Sequence, residues 1–326
     1  MRFISCSARI LAARTERHLN PRVRRAARQS NGKVLCGLLA SLLLAATTAP
    51  AQTPDVLVPP GRFASLGTHR LHYHCIGSGE PTVVIDAGLG GSGLDWTSVQ
   101  REVAAFTRVC TYDRAGYGWS DPGPAPRTTA RTVDELRALL ASAGETPPFV
   151  LVGHSFGGVT VRLMAATHPA EALGLILVES SHPDELPMSE ATAHPGRNAI
   201  NQKLLSASAG ELPLHLQAAR FLNTRRKALF AQMDELAHFS DSASQIRAAG
   251  MVPNIPLIVI ARDGRPGMDP DRERHWRNLQ HDLSRLAPDG RLVVARGAGH
   301  NVHLERPEVV VSAIGRMIRY LRAASS

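Results

Sequence analysis

The residues of this chain best suited to covalent chemistry begin with a serine that has a glycine two positions away on either side. Ser155 stands at the centre of GHSFG, after the apolar run PFVLV and before the helical pattern FGGVTVRLMAATHP. The G-x-S-x-G pattern places a serine on a tight strand-to-helix turn, where a side chain at either glycine would strike the strand or the helix. The amides at a helix N-terminus favour developing negative charge. The pattern therefore predicts that Ser155 is a nucleophile.

A serine hydroxyl is a weak nucleophile unless a base takes its proton. The segment RGAGH ends the last predicted strand and puts His300 in a loop at the carboxyl edge of the sheet. Gly297 and Gly299 allow this loop to fold back over the sheet edge. His303 is the alternative base and is interpreted as a packing residue. We therefore predict that His300 is the base.

The base needs an orienting carboxylate, and two acids are candidates. Glu179 directly follows the predicted strand LGLILV, whereas Asp263 lies in the Gly- and Pro-rich segment RDGRPG after the strand IPLIVIA. Glu179 is favoured because its strand end is well defined, and Asp263 is the alternative. Two further acids are assigned structural roles. Asp86 is expected to hydrogen-bond the backbone of the loop that follows it, and Asp113 is expected to fix a turn with Arg114 as its partner.

Apolar strand patterns and helical patterns alternate along most of the chain, and these elements must position the residues above. TVVIDAG, VCTYD, PFVLVGH, LGLILVE and IPLIVIA have the composition of buried strands, with helical patterns between them. Such alternation predicts an α/β fold with a parallel sheet covered on both faces. It stops between residues 182 and 254, where helical patterns occur without a buried strand. We predict an inserted helical lid there, with the core formed by residues 52–181 and 255–326.

The first 51 residues differ in composition from the rest. They hold nine basic residues and one acid, so only +1 of the net charge of +9 belongs to the remaining chain. Basic residues precede the apolar run VLCGLLASLLLAA and then APA, which is the pattern of an export signal cleaved after Ala51. A retained membrane anchor is the alternative, although the apolar run is shorter than the roughly 20 residues of a spanning helix. We expect a periplasmic or secreted protein without stable membrane insertion, and the near-neutral mature chain argues against nucleic-acid binding.

Four segments, in this order, resemble motifs of the α/β-hydrolase superfamily: IDAGLGGSGLDW, YDRAGYGWSD, VGHSFGG and GAGHNVHLERP. The resemblance covers residues 61–324. It implies a mostly parallel eight-stranded sheet with helices on both faces and an inserted helical lid, as in serine esterases and lipases. It also implies that the backbone amides of Leu89 and Phe156 form an oxyanion hole. Ala87-Gly88 stands where the family usually has His-Gly before the oxyanion residue.

The same resemblance bears on Cys75 and Cys110, the two cysteines that lie outside the leader. The sheet order of the family makes their strands neighbours, which permits a cross-strand disulfide. Two buried free thiols are the alternative.

A serine nucleophile in this fold implies hydrolysis of a small carboxylic ester through an acyl-enzyme, without a metal or an organic cofactor. Dehalogenases and epoxide hydrolases of the family carry aspartate in place of Ser155, so both are disfavoured. Proline iminopeptidase-like amide cleavage and carbon–carbon bond hydrolysis are alternatives, and Asp234 with Glu235 could form the acidic pocket that such a peptidase needs. A ligand-binding member with weak turnover is the alternative from another class of protein.

Overall fold

Eight strands form one sheet in the order β1-β2-β4-β3-β5-β6-β7-β8. β1 pairs antiparallel with β2, β2 pairs antiparallel with β4, and all other neighbours are parallel. The predicted mostly parallel, eight-stranded sheet is therefore confirmed. The strands are β1 (Arg62–Ser65), β2 (Arg70–Ile76), β3 (Val83–Asp86), β4 (Val109–Tyr112), β5 (Phe149–His154), β6 (Ala172–Val178), β7 (Leu257–Arg262) and β8 (Arg291–Ala295).

The computed structural model describes residues 58–185, 212–264 and 267–325. The predicted leader, residues 1–51, lies outside the described residues, as does the segment 186–211 of the predicted insertion. All described residues belong to one unit, Asp55–Ser326. Within these ranges, no helix is both long and apolar enough to cross a bilayer.

Helices connect the strands and cover the sheet. They are α1 (Thr97–Val103), α2 (Thr129–Ser142), α3 (Phe156–Thr167), α4 (Leu214–Asn223), α5 (Arg226–Ala237), α6 (Phe239–Ala249), α7 (Pro270–Ser284), α8 (Val302–Glu305) and α9 (Pro307–Ser325). Three of them, α4 to α6, lie between β6 and β7, within the region predicted as an insertion, and are called the insertion helices below.

The central strands are apolar on both faces because helices cover both faces. In β5, Leu151 packs in one apolar cluster with residues of α2 and α3. Its neighbours Val150 and Val152 point to the opposite face and pack with residues of α1 and α9. This explains why β5 appears in the sequence as an uninterrupted apolar run rather than as an alternating one.

Cys75 and Cys110 lie directly opposite each other in the antiparallel pair formed by β2 and β4. Their sulfur atoms are bonded, so the structure contains the disulfide rather than two free thiols. The bond joins residues 35 positions apart, and closing a loop of that length stabilises a fold by about 3–4 kcal/mol in the chain-entropy estimate. It ties the antiparallel edge of the sheet to the parallel part.

Candidate active site

Ser155 occupies a sharp turn between the end of β5 and the start of α3. Its backbone has φ 50° and ψ −118°, a region that a non-glycine residue adopts at a cost of about 1–3 kcal/mol. A Cβ on Gly157 would collide with the carbonyl oxygens of Asp86 and Ala87, and one on Gly153 would collide with Gly157. These two glycines therefore allow β5, α3 and the end of β3 to approach closely enough to hold the turn.

Glu179 lies at the matching place on the neighbouring strand, one residue past the end of β6. Its φ is 46°, and Ser155 and Glu179 are the only non-glycine residues with positive φ in the described part of the chain. Its amide donates to the carbonyl of Ile260 in β7 at 2.7 Å. Because strained backbone clusters at functional sites, this conformation singles out Glu179 independently of its contacts.

The buried carboxylate of Glu179 accepts four hydrogen bonds. Oε1 accepts from the amide of Arg262 at 2.8 Å and from Nε1 of Trp276 at 3.1 Å. Oε2 accepts from Nη1 of Arg262 at 2.6 Å and faces Nδ1 of His300 at 3.3 Å. Burial alone would raise the pKa of Glu179, but the hydrogen bond from His300 and the positive charge of Arg262 outweigh it and lower the pKa. Glu179 is thus an anion held in one orientation.

His300 follows β8 in a loop that brings its ring to the turn at Ser155. The ring centroid lies 4.8 Å from that of His154, the residue before Ser155. Nε2 of His154 donates to the carbonyl oxygen of His300 at 2.9 Å, which fixes the loop against the end of β5. The His300 side chain is 21% exposed, whereas Glu179 is fully buried. The structure therefore brings His300 and Glu179 together and packs the His300 ring against His154, the residue before Ser155.

Asp263, the alternative acid, is in a different environment. It lies exposed in the loop after β7, one position beyond Arg262. It makes no hydrogen bond or ion pair with His300 within the described ranges. The residue before it, Arg262, points inward and contacts Glu179 instead.

Two buried histidines, His154 and His303, pack against each other beneath this site. His303 stacks on Trp96 with ring centroids 4.5 Å apart and an angle of 13°, and lies 4.4 Å from the ring of His154. His154 and His303 are buried, and Nδ1 of His303 has no hydrogen-bond partner among the described residues. Burial lowers the pKa of His154 to about 3, and burial likewise lowers the pKa of His303 well below its usual value. Both rings are therefore neutral in the folded protein.

These neutral histidines should make the fold sensitive to acid. Unfolded histidines bind a proton near pH 6.5, while the folded protein keeps both rings neutral down to much lower pH. Each should therefore lower the free energy of unfolding by about 1.4 kcal/mol per pH unit below pH ~6.5. His303→Phe retains the stacking on Trp96 and removes one of these protons, so stability should fall less steeply between pH 6 and 4 in urea titrations.

The wild type, titrated with urea at the same pH values, is the reference for that experiment. A His303→Phe variant whose stability falls as steeply as that of the wild type would contradict the assignment of a neutral buried ring.

The loop after β3 lies against the Ser155 turn. A Cβ on Gly88 would lie 2.7 Å from Nδ1 of His154 and 3.3 Å from Cβ of Ser155, so the backbone approaches the serine as closely as only glycine permits. Leu89 follows, half-buried, in this loop. Phe156 is the first residue of α3, so its amide has no acceptor within the helix. A cavity of about 250 Å³ opens beside the loop, between Gly88, Leu89 and the insertion helices.

The hydrogen-bond partners expected for two neighbouring acids are wrong. Asp86 does not hydrogen-bond the loop backbone; its Oδ1 accepts from Nη1 of Arg114 at 2.7 Å. Asp113 does fix the turn after β4, because it accepts from the amide of Trp119 at 3.0 Å, but its charged partner is His72 rather than Arg114, with Nδ1 at 3.0 Å. Both errors have one cause, because Arg114 turns inward under the loop after β3 rather than outward along its own turn.

The sequence interpretation missed three residues that hold the site: Arg262, Trp276 and Arg114. Arg262 ends a buried apolar strand at the carboxyl edge of the sheet, where a charged residue needs a partner. That position was an available signal. No comparable signal in the sequence indicated Trp276 or Arg114, since a tryptophan on a helix or an arginine after a strand is just as common on a protein surface as in a site.

The sequence profile of the Alpha/beta hydrolase family matches residues 83–313, which includes the strands β3 to β8, the Ser155 turn and the His300 loop. The chain belongs to the alpha/beta hydrolase family. Among curated relatives of this hydrolase, the Bacillus subtilis protein named Uncharacterized protein YqjL is 28% identical over 74% of this chain and 85% of its own length. An enol-lactonase from Burkholderia xenovorans has the same fold, with a TM-score of 0.61 and 19% identity over 79% of this chain and all of its own. A thermophilic esterase from Thermogutta terrifontis gives a TM-score of 0.58 and 21% identity over 78% of this chain and 94% of its own.

Proposed function

We propose that this hydrolase cleaves carboxylic esters of small molecules through an acyl-enzyme, with Ser155 as nucleophile, His300 as base and Glu179 as the orienting acid. The observation that carries the proposal is the contact between Nδ1 of His300 and the buried carboxylate of Glu179, made beside a serine on a strained turn. A carboxylate in that position keeps a proton on Nδ1, which leaves Nε2 as the acceptor for the serine proton.

The reaction would proceed in two halves. In the first, Ser155 Oγ attacks the ester carbonyl while Nε2 of His300 takes the hydroxyl proton, and the proton is then given to the departing alcohol. In the second, water attacks the acyl-enzyme with His300 again as base, and the acid is released. The amides of Leu89 and Phe156 would stabilise the oxyanion in both halves, and removing one such donor typically costs about 10²–10³ in kcat.

The environment of the two insertion acids argues against peptidase activity. Glu235 is buried and accepts from Nε of Arg114 at 2.9 Å and from the hydroxyl of Tyr117 at 2.8 Å. Asp234 accepts from the amide of Arg127 at 2.7 Å. Because both carboxylates already have partners, they form a poor pocket for a substrate amine.

The proposal is tested by measuring hydrolysis and labelling on the mature protein. We expect turnover of p-nitrophenyl esters and slower cleavage of the matched p-nitroanilides. A fluorophosphonate should label Ser155 with one equivalent per chain. Faster cleavage of an aminoacyl anilide than of its ester would favour an amidase, and unlabelled Ser155 with no ester turnover would favour a ligand-binding protein.

We also propose that residues 1–51 direct export and are removed. The disulfide between Cys75 and Cys110 supports this, since such bonds persist mainly in oxidising compartments. The protein recovered from the periplasm or medium should begin at Gln52 and gain no mass on thiol alkylation without reductant. Full-length chains that stay in the cytoplasm with all four cysteines alkylated would contradict this proposal.

A further inference from the structure

Arg114 is a buried charged side chain under the loop after β3. It follows β4 by two residues, and its side chain is 1% exposed. Its guanidinium donates to the side chain of Asp86 at 2.7 Å and to the side chain of Glu235, from α5, at 2.9 and 3.2 Å. The ester hydrolysis proposed above gives this arginine no role. A buried cation with two anionic partners needs an explanation beyond its own stability.

The remaining hydrogen bonds of Arg114 go to the backbone of the loop. Nη1 donates to the carbonyl oxygen of Ala87 at 2.5 Å, and Nη2 donates to that of Gly88 at 3.0 Å. The Gly88 oxygen accepts a second hydrogen bond from the amide of Gly91, also at 3.0 Å. Two donors from different directions thus fix the carbonyl of Gly88.

Fixing that carbonyl also fixes the amide of Leu89. Gly88 C=O and Leu89 N–H belong to one planar trans peptide group, so they point in opposite directions. With the oxygen held toward Arg114, the N–H of Leu89 is directed away from the arginine. This is the amide that the proposed mechanism uses for the oxyanion.

Arg114 also contacts the residue that carries the second amide. Its guanidinium carbon lies 5.4 Å from the ring centroid of Phe156. Cation–π contacts at this range contribute about 0.5–2 kcal/mol, the larger value when both groups are desolvated. A single buried side chain therefore contacts the peptide group that carries the Leu89 amide and the ring of Phe156.

The position of Arg114 itself depends on the insertion helices. Glu235 comes from α5, 121 residues further along the chain, and is fully buried. The hydroxyl of Tyr117 donates to the same carboxylate at 2.8 Å. The packing of α5 against the core therefore supplies Glu235, the last of the acceptors that orient the guanidinium of Arg114.

We infer that Arg114 is a positioning residue for the oxyanion hole, oriented by Asp86 from β3 and by Glu235 from α5. The packing of α5 against the core and the alignment of the Leu89 amide therefore occur together. The inference rests on the proposed ester hydrolysis. According to this inference, the insertion helices contribute to the chemical step by aligning an oxyanion-binding amide, in addition to any contribution to substrate binding.

Arg114→Lys tests the inference because lysine keeps the charge between Asp86 and Glu235 but has no fork to reach both carbonyl oxygens. With the fastest p-nitrophenyl ester, kcat should fall about 10- to 100-fold, up to the loss seen when an oxyanion donor is removed. KM should change by less than about threefold, and the pH profile of kcat should keep its shape because His300 and Glu179 are untouched. A trifluoromethyl ketone, which forms an oxyanion on the serine, should bind more weakly by a factor similar to the loss in kcat.

Arg127→Lys is the matched control. Arg127 is also buried and binds Glu135 through two hydrogen bonds at 2.6 and 2.7 Å, and within the described ranges its guanidinium makes no hydrogen bond to the loop after β3. It should lower the melting temperature as Arg114→Lys does while leaving kcat unchanged. Glu235→Gln serves as a second variant, milder for the fold, with an expected loss of about three- to tenfold in kcat.

The outcomes separate the inference from the function on which it rests. If Arg114→Lys and Glu235→Gln keep kcat within twofold of the wild type, or lose no more than Arg127→Lys, the positioning role is wrong. If Ser155→Ala retains more than about one hundredth of the wild-type turnover of the ester, the proposed function is wrong, whatever the arginine variants do. A loss confined to KM would place Arg114 in substrate binding and would likewise overturn the inference.

Discussion

Replacing Ser155 by alanine is expected to lower kcat/KM for the best p-nitrophenyl ester by about 10⁵-fold, because loss of the nucleophile in serine hydrolases leaves only binding and oxyanion stabilisation. Alanine adopts this backbone region about as easily as serine does, so the turn should be unchanged. Initial rates measured over at least five decades of enzyme concentration would detect the residual activity. The variant should also bind no fluorophosphonate.

Ser284→Ala provides the matched control for this prediction. Ser284 is also largely buried, and its hydroxyl donates to the carbonyl of His281 at 2.7 Å in α7. It should keep full activity and full labelling at Ser155. A Ser155→Ala protein that retained more than about one hundredth of wild-type turnover would exclude covalent catalysis by this serine.

Replacing Glu179 by glutamine is expected to reduce kcat by about 10³- to 10⁴-fold, as the corresponding carboxylate-to-amide change does in serine proteases. The amide group fills the same space but places an NH₂ where Arg262 or His300 also donates. His300 then loses the partner that holds its proton on Nδ1. Because the effect acts on the base, the residual activity should rise with pH more steeply than that of the wild type.

Asp263→Asn is the paired experiment. Asp263 is exposed and makes none of the described contacts that hold His300, so its variant should remain within about twofold of the wild type. A larger loss of kcat in Asp263→Asn than in Glu179→Gln would reverse the assignment of the orienting acid. Melting temperatures measured on both proteins would separate an effect on the base from partial unfolding of the Glu179→Gln variant, in which Arg262 keeps only Glu273 as a carboxylate partner.

The fold was largely predictable because its strongest signals are local. β3, β5, β6 and β7 are buried on both faces, so each appears as an uninterrupted apolar run. The glycines around Ser155 marked the turn, since no other residue fits between β5, β3 and α3. The short strand β1 escaped prediction because its four residues, mostly exposed, follow a Pro-rich stretch and show no buried face.

The supporting contacts of the site were not predictable, because they join residues distant in sequence. Arg114 binds Glu235 across 121 residues, and Glu179 binds Arg262 across 83. Charge alone does not choose among the many acids and arginines of the chain. The choice follows from which loops meet at the carboxyl edge of the sheet, and the sequence pattern does not contain that information.

The left-handed backbone at Ser155 and Glu179 has a consequence for the heat resistance of this protein. Glycine would adopt this backbone conformation at lower cost, so the two positions that we propose as nucleophile and orienting acid are also positions where the backbone is strained. Selection for a higher melting temperature would therefore tend to erode activity at this edge of the sheet. Substitutions intended to raise the melting temperature should therefore be made at the opposite end of the strands, away from the strained backbone of Ser155 and Glu179.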